Sequence, residues 1–234
     1  PFRERKKIRR SSRIMKVKVV VAMSGGVDSS TAAFLLKESG HDVIGMSMRI
    51  PFYPSTGDGS CCGIKGIDDS RRVAEKLKIP FYAVDCLKIF EKKVIDYFCA
   101  EYSQGRTPNP CVVCNRELKF GFLLDKAMGV GADFIATGHY AKIVREVPSQ
   151  WGQAPLRGQA DPAPPLRVQA EGEGCERSPH GRYILKKGVD PENDQSYFLF
   201  SMTQKQLKHT VFPLAGYRKN EVRRIAKKAG IPVH

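Results

Sequence analysis

No apolar run in the 234-residue chain approaches the roughly 18 residues a helix needs to cross a bilayer, which argues against a membrane span. No stretch carries the apolar centre of a secretory signal peptide either. The seven cysteines are an odd number, so they do not read as an exported disulfide framework and fit a reducing, cytoplasmic setting better. Tryptophan occurs once, and acidic residues are scarce: 24 Asp and Glu stand against 39 Lys and Arg, for a formal net charge of +15.

That charge is unevenly spread. Residues 1–14, PFRERKKIRRSSRI, hold seven Lys/Arg and one Glu, so they contribute +6 and leave +9 on the remainder. A basic body of this size suits a polyanionic partner, nucleic acid first, because neutralised phosphates release their counterions; a solvated basic surface is the plainer alternative. The Arg- and Ser-rich arm could pass for a transit peptide. Its lack of an apolar face favours instead a disordered arm ahead of a natural start at Met15.

From Met15 the pattern is a β-branched run (KVKVVVAM), a glycine break, and an apolar helical period ending on Gly40. Strand and helix then alternate: HDVIGMSMRI as strand, IDDSRRVAEKLKI as helix, PFYAVD as strand, a long helix from Leu87, RELKFGFLLDKAMGVG as helix and ADFIATG as strand. The alternation predicts an α/β fold, a doubly wound parallel sheet with helices on both faces and ligands at the carboxyl ends of its strands.

Residues 145–181 break the pattern, with six of the 15 prolines and the only Trp and no periodicity, and read as a disordered insertion. HYAKIVRE before it and RYILKKGVD after it read as the arms of a hairpin. The sequence thus divides into the 1–14 arm, a nucleotide-binding domain over 15–144, the 145–181 insertion, and 182–234 as the end of that domain with the start of a small helical segment. The last helix runs from about Lys219 to Ala229, with Gly230 as its cap and a Pro-containing turn before it.

Two segments carry chemistry. SGGVDSS (Ser24–Ser30) lies between the first strand and first helix, where Gly-rich backbone amides make an anion cradle and the hydroxyls of Ser24, Ser29 and Ser30 can add donors. It has neither the Gly-Lys-Ser/Thr of a Walker A loop nor the Gly-x-Gly-x-x-Gly of a dinucleotide fold. At the same predicted sheet edge, ATGHYA offers Gly138 for close backbone approach and His139 as either a phosphate neighbour or a structural side chain.

The second segment, GRTPNPCVVCNRELKF (Gly105–Phe120), sets Cys111 and Cys114 three residues apart at the start of a predicted helix, where the dipole favours a thiolate. Zinc, a disulfide, a nucleophile and iron-sulfur ligation all remain open. Structural zinc normally needs a second pair at metal spacing, and Cys61-Cys62 is the only other close one. Cys86 and Cys99 read as buried thiols, and Cys175 as incidental to the insertion.

SGGVDSS, GRTPNPCVVCNRELKF, GADFIATGHYA, KKGVDPENDQSYFL and EVRRIAKKAGIPVH occur in the order seen in tRNA-specific 2-thiouridylases of the MnmA/TrmU family, within the ATP pyrophosphatase superfamily. The resemblance runs from about Met15 to His234 apart from the insertion. It implies an adenine nucleotide alpha hydrolase-like (HUP-like) fold, and ATP activation of the C2 oxygen of the wobble uridine in tRNA, with sulfur then displacing AMP. By this likeness Ala22, Met23, Ser24, Gly25, Gly26, Val27, Asp28 and Ser29 bind ATP, Asp28 with Mg2+, and Met48 and Gly138 line the adenosine pocket. Cys114 matches the first catalytic cysteine; Asn109, Pro110 and Cys111 hold the target base; Asn193, Asp194 and Gln195 contact tRNA. A sulfur-donor protein is the further partner implied.

Two departures qualify the likeness. Many family members carry an acidic residue where this chain has Cys111; with Cys114 and a third thiol that cysteine can ligate an iron-sulfur cluster in relatives. The family's next catalytic cysteine, and its further tRNA-binding domains, lie downstream of GIPVH, so the chain reads as truncated.

Overall fold

The computed structural model describes residues 16–51, 64–146 and 182–233. The expectations for the 1–14 arm, for Cys61 and Cys62, and for nearly all of the insertion with Cys175 lie outside these residues. The architecture grows from β1 (Lys18–Ala22), whose Val19, Val20 and Val21 are wholly buried. Side chains alternate across a strand, so Val19 and Val21 join one core cluster and Val20 the other. A strand buried on both faces is the mark of a doubly wound sheet.

β1 pairs in parallel with β2 (Asp42–Arg49) on one side and with β4 (Phe134–Ala136) on the other. β3 (Phe81–Asp85) and β7 (Thr210–Val211) complete a five-stranded parallel sheet of order β3-β2-β1-β4-β7. The chain winds outward from β1 through β2 to β3, then returns to lay β4 on the opposite edge. This reversal puts the topological switch point at the carboxyl ends of β1 and β4, where ligands of such sheets bind.

Helices α1 (Val27–Glu38), α2 (Ile64–Leu77) and α8 (Lys219–Lys228) cover one face, with Ala33, Leu36, Val73, Leu77 and Ala226 packed on Val19 and Val21. The other face takes two helical runs. The first is α3 (Leu87–Phe90), a π-helical turn (Glu91–Ile95) and α4 (Asp96–Ser103). The second is α5 (Pro110–Val113), a π-helical stretch (Cys114–Phe122) and α6 (Leu123–Gly129), which buries Leu118, Phe120 and Leu123. The second run thus begins at Pro110, six residues ahead of the expected Arg116.

β5 (Ala141–Glu146) and β6 (Arg182–Lys187) form the anticipated antiparallel hairpin. Arg145 and Glu146, assigned above to the insertion, belong to its ladder, opposite Tyr183 and Arg182. After a 3-10 turn (Ser196–Leu199) and α7 (Gln204–Lys208), the Pro-containing stretch expected to be a turn supplies β7 to the main sheet. α8 packs against α1 through buried Val222 and Ala226, so the described part of 182–233 is built into the same layers.

Candidate phosphate loop and thiol-bearing helix

At the end of β1 the Met23 amide donates to Met46 O at 2.7 Å, extending the sheet by one residue before the chain turns. Gly25 makes the turn in the left-handed region at φ +81°, and Gly26 caps α1 without any side-chain bond to the first-turn amides. Those amides have no intrahelical acceptor and sit at the positive end of the α1 dipole, which is the physical basis of an anion site. The Ser24 amide donates to Ser29 Oγ at 3.2 Å, and the two hydroxyls lie 3.3 Å apart. Ser29 and Ser30 are both buried, and both hydroxyls donate back to Gly26 O, at 3.2 and 2.9 Å.

Asp28, in the first turn of α1, is engaged at both oxygens. The Tyr140 hydroxyl donates to Oδ1 at 2.8 Å and the Lys219 ammonium pairs with Oδ2. Burial pushes the Tyr140 phenol far above its ordinary value, and the adjoining Asp28 carboxylate adds to this, so the hydroxyl stays protonated as the donor. The Lys219 amide donates to Asp190 Oδ2 at 2.7 Å. Asp190 is buried and also receives the amides of Glu192 and Asn193 and the Asn193 side-chain amide.

The triplet expected at the tRNA is drawn into this framework. Asn193 bonds Asp190; Asp194 accepts from the Gly188 amide at 3.2 Å and the Ser196 hydroxyl at 2.6 Å. Gln195 exchanges two bonds with the backbone of Tyr140, at 3.2 and 3.0 Å. In this chain the three side chains fix the loop that carries them and its seating against Tyr140.

Gly138 follows β4 at the switch point. A Cβ there would stand 2.6 Å from the Ser29 amide nitrogen and 3.0 Å from Asp28 Cβ, so α1 itself already demands the glycine. His139 donates or accepts at 2.7 Å with Thr137 Oγ1 and packs on Phe120 and Phe212 at 6.0 Å between ring centres. Desolvation holds its pKa well below the ordinary value, and Lys119 adds to this, so the ring is neutral at pH 7. Met48 is buried among the core side chains near the end of β2.

Phe120 links this edge to the cysteines, because it lies in the helical run that opens at Pro110. Asn109 caps that run, its Oδ1 accepting from the amides of Cys111 at 3.0 Å and Val112 at 3.4 Å, with Pro110 in the first helical position. Asn109 and Pro110 thereby build the turn that presents Cys111, whose side chain is exposed. Cys114 is partly buried and packs against the core cluster that contains Cys86. Burial pushes the Cys86 thiol up to about 11, with smaller contributions from Asp85 and Cys114. The neighbouring Asn115 donates to Phe198 O at 3.0 Å, tying the run to the 3-10 turn.

An open groove of about 390 Å³ includes Val113, between the cysteines, and is lined by Lys92, Lys93 and Arg116 together with Asp96 and Glu117, the last paired with both Lys93 and Arg116. A second hollow of about 310 Å³, between β6 and α7, lies on different residues from either motif. No group of three or more His, Cys, Asp or Glu suited to a metal occurs among the described residues.

Sequence reasoning passed over Lys219, Tyr140 and Asp190. One local signal was available for Lys219: a cation in the first turn of a helix opposes the dipole. The bonds to Asp28 span 112 and 191 positions and leave no local pattern.

These features define a parallel α/β domain with a glycine loop opening a helix at its topological switch point and a helical run that carries two cysteines. The chain belongs to the family described as the tRNA methyl transferase HUP domain, which it matches over residues 17–234. It is 44% identical over 223 residues to the tRNA-specific 2-thiouridylase MnmA of Clostridium acetobutylicum, an overlap covering 94% of this chain and 53% of that protein. The protein of the same name from Pelotomaculum thermopropionicum is 47% identical, over 93% of this chain and 52% of its own length. The chain spans about half the length of the curated relatives it matches. Among solved structures, a predicted subunit of tRNA methyltransferase from Methanocaldococcus jannaschii covers 90% of this chain and 74% of its own, at 14% identity and a TM-score of 0.47, too loose a likeness to carry weight.

Proposed function

We propose that the chain carries the adenylating and sulfur-accepting half of a tRNA-uridine 2-sulfurtransferase. The observation that carries this reading is the three-residue span from Gly138, backed against Asp28, to Tyr140. Within it His139 packs on Phe120, in the helical run that holds Cys111 and Cys114, and Cys114 packs on the core cluster of Cys86, which follows β3 as the glycine loop follows β1; this supports a common edge for loop and thiols. The relatives are named for thiolation of tRNA.

In this reading the uridine O2 attacks the α-phosphorus of ATP and pyrophosphate leaves. A sulfur nucleophile then adds at C2, and AMP departs with the former carbonyl oxygen. Adenylation is needed because an unactivated carbonyl oxygen is a poor leaving group, and a thiolate or persulfide is the nucleophile suited to neutral pH.

The chain's own residues divide the work. The amides of Ser24 to Asp28 hold the polyphosphate, and Gly25 sets their direction. Met48 and Gly138 border the adenosine. Cys114 carries the sulfur as a persulfide: its outer sulfur bonds C2 as AMP leaves, and a second thiol then attacks the Cys114 sulfur of the resulting disulfide and releases the 2-thiouridine. Asn109, Pro110 and Cys111 lie at the target base, which must be drawn out of its stack. Lys92, Lys93 and Arg116 supply backbone contacts for tRNA, and Asn193, Asp194 and Gln195 shape the adjoining surface. A sulfur-donor protein delivers to Cys114, in a cytoplasmic setting.

The Asp28 carboxylate, partly exposed at the loop, would hold Mg2+ once the Lys219 ammonium leaves Oδ2, and the ion would spread the charge of the leaving pyrophosphate. An iron-sulfur cluster fits less well: Cys111 and Cys114 supply two thiols, and the described residues add no third.

The test supplies ATP, Mg2+, a cysteine desulfurase with cysteine as persulfide donor, a thiol reductant and unmodified tRNA to the chain and to Cys114→Ser, reading thiolated tRNA on mercury-retarding gels and ATP-pyrophosphate exchange separately. Thiolation lost in the variant with exchange retained supports the assignment. Exchange without thiolation in the wild type would restrict the chain to adenylation, and neither reaction would overturn the proposal.

A further inference from the structure

Lys219 opens α8, and a helix N-terminus is the end least suited to a cation, since the aligned peptides place roughly half a positive charge there. The last turn of the same helix holds Lys227 and Lys228, where the dipole welcomes them. Lys219 is nevertheless held firmly. Its amide is fixed on buried Asp190 at 2.7 Å, its ammonium lies 5.6 Å from the centre of the Tyr140 ring, and that ammonium pairs with Asp28 while Tyr140 bonds the other carboxylate oxygen. Backbone and side chain are both positioned to bring one positive charge to the first turn of α1.

That charge answers an electrostatic problem of the loop. The first-turn amides of α1 attract an anion, yet the carboxylate of Asp28 stands among them and would repel a polyphosphate. With its ammonium beside it, the local charge is neutral. The lysine side chain keeps 23% of its surface open, so the ammonium can reach a bound ligand.

We propose that Lys219 is a phosphate-binding residue of the nucleotide site: its ammonium, resting on Asp28 in the ligand-free chain, contacts the triphosphate of bound ATP. This rests on the adenylation reading above. The contact is a charge-assisted bond in a partly desolvated site, worth roughly tenfold or more in affinity.

Binding of ATP, inorganic pyrophosphate and adenosine by competition with a fluorescent ATP analogue tests it, in the wild type, Lys219→Met and Lys219→Arg. Methionine keeps the apolar stem against Tyr140 and removes the charge. The expected result is a loss of about tenfold or more for ATP and pyrophosphate in Lys219→Met, with adenosine within twofold and Lys219→Arg restoring ATP to within about threefold. A purely structural tie would lower the ligand-free melting temperature and leave the ratio of ATP to adenosine affinity unchanged, which overturns the proposal. Failure of the folded wild type to bind ATP at all would instead overturn the adenylation reading, and this inference with it.

Discussion

Gly25 and Gly66 meet backbone to backbone: a Cβ on Gly25 would lie 2.5 Å from Gly66 O, and one on Gly66 would lie 2.6 Å from Ser24 O. The first turn of α2 therefore rests directly on the phosphate loop. In an ordinary helix Gly→Ala is stabilising by up to about 1 kcal/mol. Here the clash is with backbone, which cannot swing away as a side chain can. Gly66→Ala should therefore destabilise by about 1–3 kcal/mol, as overpacking does, and weaken ATP binding as the loop shifts. Thermal melting with and without ATP checks both effects; a raised melting temperature would show that α2 can move aside.

Asn109 is the cap that aims Cys111. Asn109→Ala leaves two first-turn amides without their acceptor, and a lost N-cap costs about 1 kcal/mol. Asn109→Asp keeps the acceptor and should preserve stability. If thiolation falls in the Ala variant and holds in the Asp variant, the residue acts through the turn; if both lose activity equally, its amide group touches the substrate.

Cys86 and Cys111 should differ sharply toward alkylation. With the buried thiol pushed up to about 11 from a usual 9.0, Cys86 carries about 100-fold less thiolate near pH 8 than an ordinary cysteine, and it is also shielded, whereas Cys111 is exposed. Iodoacetamide followed by peptide mass mapping should label Cys111 and Cys99 first, since Cys99 is exposed and not buried as its sequence suggested, and reach Cys86 only on unfolding. The linkage runs in the same sense: a pKa raised by folding contributes stability that is present below about pH 9 and fades as the pH rises toward 11. Cys86→Ser or Cys86→Ala should shift that alkaline limb.

Asp190 acts at the acid end. The amide of Lys219 is the first cause holding its carboxyl below the ordinary carboxylate range, helped by Asn193 and Glu192. A pKa lowered by folding gives stability that is present above the unfolded value and lost as pH falls through the folded one. Asp190→Asn should therefore be less stable than the wild type at neutral pH, with the difference shrinking below about pH 4. A difference constant across that range would mean the charge is not what the four donors require.

The sheet was legible because its central strand is three consecutive valines and its helices keep their apolar period. The loop was legible because glycines and a serine between strand and helix admit few uses. β7 escaped notice since Thr210 and Val211 are too few to show a strand period and Pro213 follows closely. The π-helical stretch from Cys114 to Phe122 escaped because a shift from i−4 to i−5 bonding changes no residue type. The bonds of Ser29 and Ser30 back to Gly26 O escaped for a similar reason: a hydroxyl in the first turn of a helix reads the same in sequence whether it faces out or bonds its own backbone. The Asp28 partners belong to strands and helices far along the chain, and no local window contains them.

The hairpin of β5 and β6 closes on the pair Glu146 and Arg182, whose side chains bond at 3.0 Å. The ladder is complete, six pairs from Ala141 and Lys187 to Glu146 and Arg182. The hairpin tip is in effect a socket. The hairpin is a sheet of its own, two strands beside the five, so a reporter grafted at its Glu146–Arg182 end would sit on a ladder that takes no part in the pairing of β1 with β4.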